Sequence, residues 1–144
     1  MCDTYRKAVD CMSDLTQRLE IVTPEKKVFS DEITFVIAPG AEGELGILPR
    51  HAALITPLKI GLIKFDHEGN RIIMTVSGGF MEVRDSKVTI LATAVERLDE
   101  IDIERAEAAK MRAEQRLAAK TPDIDVVRAE AALKRALNRL NAKR

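Results

Sequence analysis

The sequence contains no tryptophan, and one Tyr and four Phe bring its aromatic content to only 3% of 144 residues. A surface of stacked aromatic rings for single-stranded nucleic acid therefore cannot be built. Lys and Arg number 23, and Asp and Glu also number 23, so the formal net charge is zero. Domains that bind nucleic acid usually carry a basic excess. This balance argues against nucleic acid as a partner.

Long apolar runs are also lacking. No window reaches the roughly 18 consecutive apolar residues that a spanning helix needs, so we predict no membrane insertion. The first ten residues mix both charge signs and resemble neither a secretory signal nor an organellar transit peptide, which favours a bacterial protein that stays where it is made. Cys2 and Cys11 are the only cysteines, too few for a disulfide framework, so we predict two reduced thiols.

Composition divides the chain into two halves. No glycine follows Gly79 and no aromatic residue follows Phe80. Residues 101–144 carry 11 Lys and Arg against 7 Asp and Glu, a net charge of +4, and residues 1–100 carry a net charge of −4. The overall neutrality therefore comes from two oppositely charged parts.

The first half is typical of short β-strands. Runs rich in β-branched or alternating apolar residues lie at Ile33–Ile37, Leu58–Leu62, Arg71–Val76 and Lys87–Ala92. Turn signals separate them at Ala38-Pro39-Gly40, His67–Asn70, Ser77-Gly78-Gly79 and Asp85-Ser86. This pattern predicts an antiparallel β-sandwich or barrel. We exclude a parallel sheet because no segment is long enough for a crossover helix.

The second half predicts two helices, because Ala, Glu, Arg, Lys and Leu dominate it. The break falls at Thr121-Pro122-Asp123, with Thr121 as the predicted cap and Pro122 at the first helical position. A short break between helices of similar length predicts an antiparallel hairpin. One face of the second helix is lined by Val126, Ala129, Leu133, Ala136 and Leu140.

The predicted fold class is α+β, an N-terminal antiparallel β-sandwich followed by a C-terminal two-helix antiparallel hairpin. Residues 1–14 form an extension, residues 15–98 the sandwich and residues 99–144 the hairpin. An upstream start, a tag remnant and a true extension remain open for the first segment.

The two helical segments are near-copies. Residues 101–120 and 124–143 both fit IDxxRAEAAxxRAxxRLxAK, at an offset of 23 residues. Each copy places three arginines on one side of its helix: Arg105, Arg112 and Arg116, then Arg128, Arg135 and Arg139. These stripes predict a solvated face with local ion pairs, a polyphosphate site or a surface for an acidic protein. The repeat alone does not say whether the stripes converge.

Several motifs carry a resemblance to a known family. The segment Gly43–His51 reads GELGILPRH, Ser77–Val83 reads SGGFMEV, and Ile101–Ala106 carries IDxxRA. In this order, these motifs resemble those of the epsilon subunit of bacterial F-type ATP synthases, from about Leu15 to the end. The resemblance implies a ten-stranded β-sandwich followed by a helical hairpin, in agreement with the composition.

The resemblance implies a non-catalytic role in the central stalk. The partners it implies are the gamma subunit, the membrane c-ring and the alpha/beta catalytic head. The subunit would turn with gamma and couple proton or sodium flow to ATP synthesis at the cytoplasmic side of the bacterial membrane. Its hairpin would extend and inhibit ATP hydrolysis by meeting acidic segments of the catalytic subunits. The charge of +4 on residues 101–144 suits such partners.

The resemblance also implies ATP as a regulatory ligand, with or without magnesium, that favours the folded hairpin. The implied ATP-binding residues are Ile101, Asp102, Arg105, Ala106, Arg112, Arg135 and Arg139. Glu44 matches a position at the contact with the membrane ring. No catalytic cofactor and no metal site are implied.

Two other function classes compete with this one. A free-standing ATP-sensing module would use the same hairpin outside any complex. An enzyme would need a nucleophile, acid/base or metal constellation, and the sequence offers no Ser-His-Asp, Cys-His or metal-ligand pattern. The Gly-rich segment Gly40–Gly46 has no Gly-Lys-Ser/Thr ending and carries two carboxylates, so we interpret it as a turn and not as a phosphate loop.

Overall fold

The computed structural model of the chain describes residues 15–119 and 121–144. The predicted extension at residues 1–14, with Cys2 and Cys11, lies outside them. In chain order the strands are β1 Gln17–Val22, β2 Lys27–Ile33, β3 Phe35–Gly40, β4 Gly43–Ile47, β5 Leu54–His67, β6 Asn70–Arg84, β7 Lys87–Ala92 and β8 Val95–Arg97. A short 3-10 helix at Leu98–Glu100 leads into the helices α1 Ile103–Ala119 and α2 Val126–Ala142.

The described strands form a sheet in the order β2-β1-β7-β6-β5-β3-β4, with β8 beside β6. The sheet folds over on itself, so that β2 faces β5 although the two are not neighbours in this order. The rings of Phe29 and Phe65 meet there with centroids 4.6 Å apart. Inward side chains from both layers, including Leu19, Met74 and Ile90, form one buried cluster. This architecture confirms the predicted β-sandwich and helical hairpin.

One strand pair departs from the predicted antiparallel arrangement, which excluded a parallel sheet. Strand β1 runs parallel to β7, with Leu19 opposite Val88. That exclusion assumed that parallel neighbours are joined by a crossover helix. Here the connection is the whole run from β2 to β6, which passes through the other layer before β7 returns beside β1. The prediction was wrong for this pair, and the other described pairs are antiparallel.

Strand β6 passes through Ser77-Gly78-Gly79, where a turn was predicted. Its first part pairs with β8 and its second part, from Gly79 onward, pairs with β7. Gly79 has a φ of +145°, and a Cβ at this position would overlap the carbonyl oxygen of Leu91. The glycines therefore let one strand change partner instead of reversing. Pro39 and Gly40 likewise end β3 instead of forming a turn.

Strands β5 and β6 hold 14 and 15 residues and form one long hairpin. Each continues through the bend of the sandwich as a single strand. The described residues therefore contain eight strands, where the resemblance implied ten.

The helix break also differs in detail from its prediction. The cap of α2 is Asp125, whose Oδ1 accepts a hydrogen bond of 3.0 Å from the backbone N–H of Arg128. Thr121 instead accepts a backbone hydrogen bond from Ile124 in the preceding turn. A carboxylate at this position both pairs with a free N–H and suits the helix dipole. On α2, Ala129 and Ala136 are buried as their spacing predicted, whereas Val126 is 54% exposed.

Candidate functional site

The first turn of α1 is built by the IDxxRA motif. Oδ1 of Asp102 accepts a hydrogen bond of 3.0 Å from the backbone N–H of Arg105. The backbone oxygen of Asp102 accepts from Ala106. Ile101 is only 3% exposed and anchors the chain just before the helix. The motif is therefore a helix start that leaves the Arg105 side chain exposed.

Small residues bring α1 and α2 together. The buried residues of α1 are Ala106 and Ala113, and those of α2 are Ala129 and Ala136. Each pair is seven residues apart, and the two pairs are related by the 23-residue repeat. Alanine at such a contact allows a close approach of two helix axes. The repeat therefore encodes the seam of the hairpin.

A cavity of about 350 Å³ opens where α1 begins, α2 ends and β8 passes. We call it the first cavity. It is lined by Glu96, Glu100, Asp102, Arg105, Ala106, Ala109, Arg112 and Arg139. Five of the seven predicted ATP-binding residues thus lie around one space: Asp102, Arg105, Ala106, Arg112 and Arg139. A volume of this size is within the usual range for small-molecule sites.

The best-defined contact in the first cavity joins Arg139 to Glu96. The guanidinium donates from Nε and Nη2 to the two carboxylate oxygens at 2.7 and 2.6 Å. This bidentate bond raises the pKa of Arg139, so the side chain stays charged. Glu96 was not predicted as a site residue. It lies 43 positions before Arg139 on a three-residue strand, and no spacing rule connects the two.

Two predicted residues do not line the first cavity. Ile101 is buried, and its backbone oxygen accepts a hydrogen bond of 2.8 Å from Nζ of Lys143. Arg135 is half-buried on α2, one turn before Arg139. Arg105 and Arg112, in contrast, are exposed at the cavity and have no ion pair among the described residues. The first cavity therefore offers two uncommitted guanidinium groups and one held by a carboxylate.

The predicted ring-contact residue, Glu44, lies far along the chain from the hairpin. It is on β4, with its side chain 61% exposed and Oε1 3.5 Å from Nζ of Lys64. The Gly-rich segment around it is a turn only at Ala41 and Glu42, since β4 begins at Gly43.

Neither histidine contributes to a metal or catalytic constellation in the described part of the chain. His67 is paired with Asp31 at 3.2 Å and lies edge-on to the ring of Phe29. His51 is exposed. No group of three or more metal-ligating side chains comes together among residues 15–119 and 121–144. Within the same residues, neither helix has the length and apolar character needed to cross a membrane.

Comparison with known proteins identifies the family. Residues 16–98 match the model of the β-sandwich domain of the ATP synthase delta/epsilon chain, and residues 99–144 match that of its long α-helix domain. The chain belongs to the ATP synthase delta/epsilon family. The ATP synthase epsilon chain of Pelotomaculum thermopropionicum is 66% identical over 110 residues, which cover 76% of this chain and 82% of that protein. That of Desulforamulus reducens is 62% identical over 105 residues, covering 73% and 80%.

Solved structures agree with this family. A chain in the mitochondrial ATP synthase of Euglena gracilis, from a structure of its OSCP, F1 and c-ring, superposes with a TM-score of 0.79 at 25% identity. The match covers 90% of this chain and 82% of that one. A chain from the central stalk and c-ring of the Tetrahymena thermophila enzyme shares the fold, with a TM-score of 0.58 at 18% identity over 88% and 96% of the two chains.

Proposed function

We propose that this chain is the non-catalytic epsilon subunit of the central stalk of a bacterial F-type ATP synthase. It would sit on the gamma subunit against the membrane c-ring, as a peripheral protein on the cytoplasmic side. Its role would be to couple ion-driven rotation to ATP synthesis in the alpha/beta head. Support comes from relatives named ATP synthase epsilon chain, which this chain matches over about four fifths of their length.

The hairpin would regulate the complex through ATP. The observation that carries this step is the first cavity, where Asp102, Arg105, Arg112 and Arg139 come together beside Glu96. Guanidinium groups supply paired donors that match phosphate oxygens. ATP would occupy this cavity as a regulatory ligand, with or without magnesium.

The geometry links binding to the compact state. Glu96 belongs to the sandwich, Arg105 and Arg112 to α1, and Arg139 to α2. If the hairpin left the sandwich, Glu96 and Arg139 would separate and the first cavity would no longer exist. A ligand that binds only one of two states shifts the equilibrium toward that state by its differential affinity. ATP would therefore hold the hairpin in the compact form, and its release would free the hairpin.

The extended hairpin would inhibit ATP hydrolysis. Its net charge of +4 over residues 101–144 suits docking on acidic segments of the catalytic subunits. Reconstituted complexes with the full chain and with a chain ending at Glu100 test this step. We expect faster ATP hydrolysis with the shortened chain, and equal rates would contradict the inhibitory role.

ATP binding is tested by calorimetric titration of the full chain with ATP, ADP and GTP, with and without magnesium. We expect selective ATP binding, which Arg105→Gln weakens by about tenfold or more, because a charge-assisted contact contributes roughly 1.5–3 kcal/mol. Arg135→Ala is expected to weaken ATP binding similarly, because Arg135 matches an ATP-binding position of the family, although it does not line the first cavity. Lys134→Gln removes a neighbouring charge outside the cavity and is the control. Equal affinity in all four proteins would refute the site.

Association with the complex separates this function from a free-standing ATP-sensing module. A tagged copy of the chain, expressed in the organism that encodes it, is expected to co-purify with gamma and the membrane sector. ATP binding without co-purification would favour the sensing module instead.

A further inference from the structure

Four apolar side chains are exposed to solvent on neighbouring strands of the sandwich. Ile55 is 73% exposed, Phe80 58% and Leu91 55%, and Pro57 is exposed as well. The strand register places Pro57 opposite Phe80 and Phe80 opposite Leu91, so these three form one row across β5, β6 and β7. Ile55 lies two positions before Pro57 on the same face of β5. We call these four residues the apolar face.

The apolar face points away from the core. The residues next to it along the strands, Met81 and Ile90, are buried inside the sandwich, so Phe80 and Leu91 point outward. Outward positions of a sheet with one solvated face are usually polar. A contiguous exposed patch of large apolar side chains is instead typical of a surface that another molecule covers.

Charged and polar residues border the apolar face. The register places Glu82, Thr89 and Glu20 in the row that contains Ile55. The Glu20 carboxylate is already paired with Nζ of Lys87 at 3.0 Å. An apolar centre with a charged rim is the usual anatomy of a protein–protein interface. The apolar centre is therefore the part of this surface that gains most from being covered.

The hairpin occupies a different side of the sandwich. Helix α2 is bound to the sandwich at Gly61 and Glu96. Glu96 lies on β8, which pairs with the first part of β6, at Met74–Val76. Phe80 lies on the second part of β6, which pairs with β7 in the other layer. The apolar face is therefore formed by the sandwich alone, and the docked hairpin leaves it exposed.

The proposed function gives the sandwich two partners, the c-ring and the gamma subunit, and gives the hairpin the catalytic head. The ring contact is assigned to Glu44, on the edge strand β4. Strands β3, β5 and β6 separate β4 from β7 in the order of the sheet, so Glu44 and Leu91 belong to different surfaces. Gamma is thus the partner without an assigned surface, and the apolar face is a surface without an assigned partner.

We propose that the apolar face is the surface on which the gamma subunit docks, an inference that rests on the proposed function. Phe80, in the middle of the row, is its central anchor, since binding energy concentrates in large side chains near the centre of an interface. All four residues belong to the sandwich, so the chain stays attached to gamma whether the hairpin is compact or extended. Docking and regulation are thereby separated on two sides of the sandwich.

Binding of the full chain to an alpha/beta/gamma complex prepared without it tests this surface, with an alpha/beta complex lacking gamma as the reference. We expect stronger binding where gamma is present. Phe80→Ser and Leu91→Ser are each expected to weaken that binding by about tenfold or more. Met111→Ser removes an apolar side chain of α1 that is 59% exposed and is expected to leave the affinity unchanged. Ile55→Ser serves as a further variant if one of the others does not fold.

The outcomes separate this surface from the proposed function. Unchanged affinity of the Phe80→Ser and Leu91→Ser chains for the complex with gamma would overturn the docking surface and leave the proposed function standing. If the unaltered chain binds both complexes equally, gamma is not its partner, and the proposed function fails as well. Sedimentation of the isolated chain tests a second copy as the occupant. A dimer that Phe80→Ser abolishes would assign the apolar face to self-association and overturn the proposal.

Discussion

Nδ2 of Asn138 donates a hydrogen bond of 2.7 Å to the backbone oxygen of Gly61, 77 positions earlier in the chain. It is one of three polar contacts that hold the end of α2. In the other two, Arg139 binds Glu96 and Lys143 donates to the backbone oxygen of Ile101. The bonds to Gly61 and Glu96 attach the hairpin to the sandwich, and the bond to Ile101 joins the end of α2 to the residue before α1. Weakening these bonds tests how the compact state is maintained.

Replacing Asn138 by Ala removes the donor to Gly61. We expect the docked hairpin to lose about 1–3 kcal/mol, because the partly buried carbonyl is left without its partner. Hydrogen exchange of the α2 amides measures this as reduced protection. Asn141→Ala is the control, since Asn141 is exposed near the end of the same helix. Equal protection in the two variants would show that the Asn138 bond contributes nothing to docking.

The alanine seam of the hairpin predicts a steric effect. Ala113 is 2% exposed against α2, so Ala113→Leu forces the two helices apart. We expect a loss of about 1–3 kcal/mol in the free energy of unfolding, the usual cost of overpacking. Ala108→Leu adds the same side chain to the exposed side of α1 and is expected to be nearly neutral. Chemical denaturation compares the two, and similar midpoints would argue against a close-packed seam.

Gly79 and Gly43 form a matched pair in the sandwich. Their φ angles are +145° and +144°, but only Gly79 has neighbouring atoms where a Cβ would lie. Both Ala variants carry the same backbone strain, and Gly79→Ala adds the overlap with Leu91. We therefore expect Gly79→Ala to lower the free energy of unfolding by about 1–3 kcal/mol more than Gly43→Ala does. Urea denaturation measures the free energy of unfolding of both variants. Equal losses would mean that strand β6 shifts to make room for the added Cβ without a cost in free energy.

The pair of Asp66 and Arg71 predicts a pH effect. Nε and Nη2 of Arg71 donate to the Asp66 carboxylate at 2.7 and 2.9 Å, and these bonds hold the pKa of Asp66 below its ordinary value of 3.8. The resulting stabilisation is present above that ordinary value and is lost as the pH falls through the lowered pKa. An NMR titration of the Asp66 carboxyl is expected to show this low pKa.

Two variants test whether Arg71 is the cause of the low pKa of Asp66. Arg71→Gln is expected to return the pKa of Asp66 toward 3.8. Arg84→Gln removes a partner of Asp85 and is expected to leave the pKa of Asp66 unchanged. A pKa of Asp66 that does not respond to Arg71→Gln would rule out this cause.

The sequence by itself determined the two halves, the strand run at Lys87–Ala92, the hairpin and its repeat, because composition and local periodicity act within a few residues. It could not determine that β1 lies parallel to β7, or that Ser77–Gly79 continue a strand, since both depend on how the layers close. In the site, the IDxxRA residues were recognisable in the sequence, whereas Glu96 was not. Only the tertiary structure brings the Glu96 carboxylate to Arg139. It also places Arg105, Arg112 and Arg139 at one end of the hairpin and Arg116 and Arg128 at the other. These positions follow from the antiparallel pairing of α1 and α2 and from the docking of α2 on the sandwich.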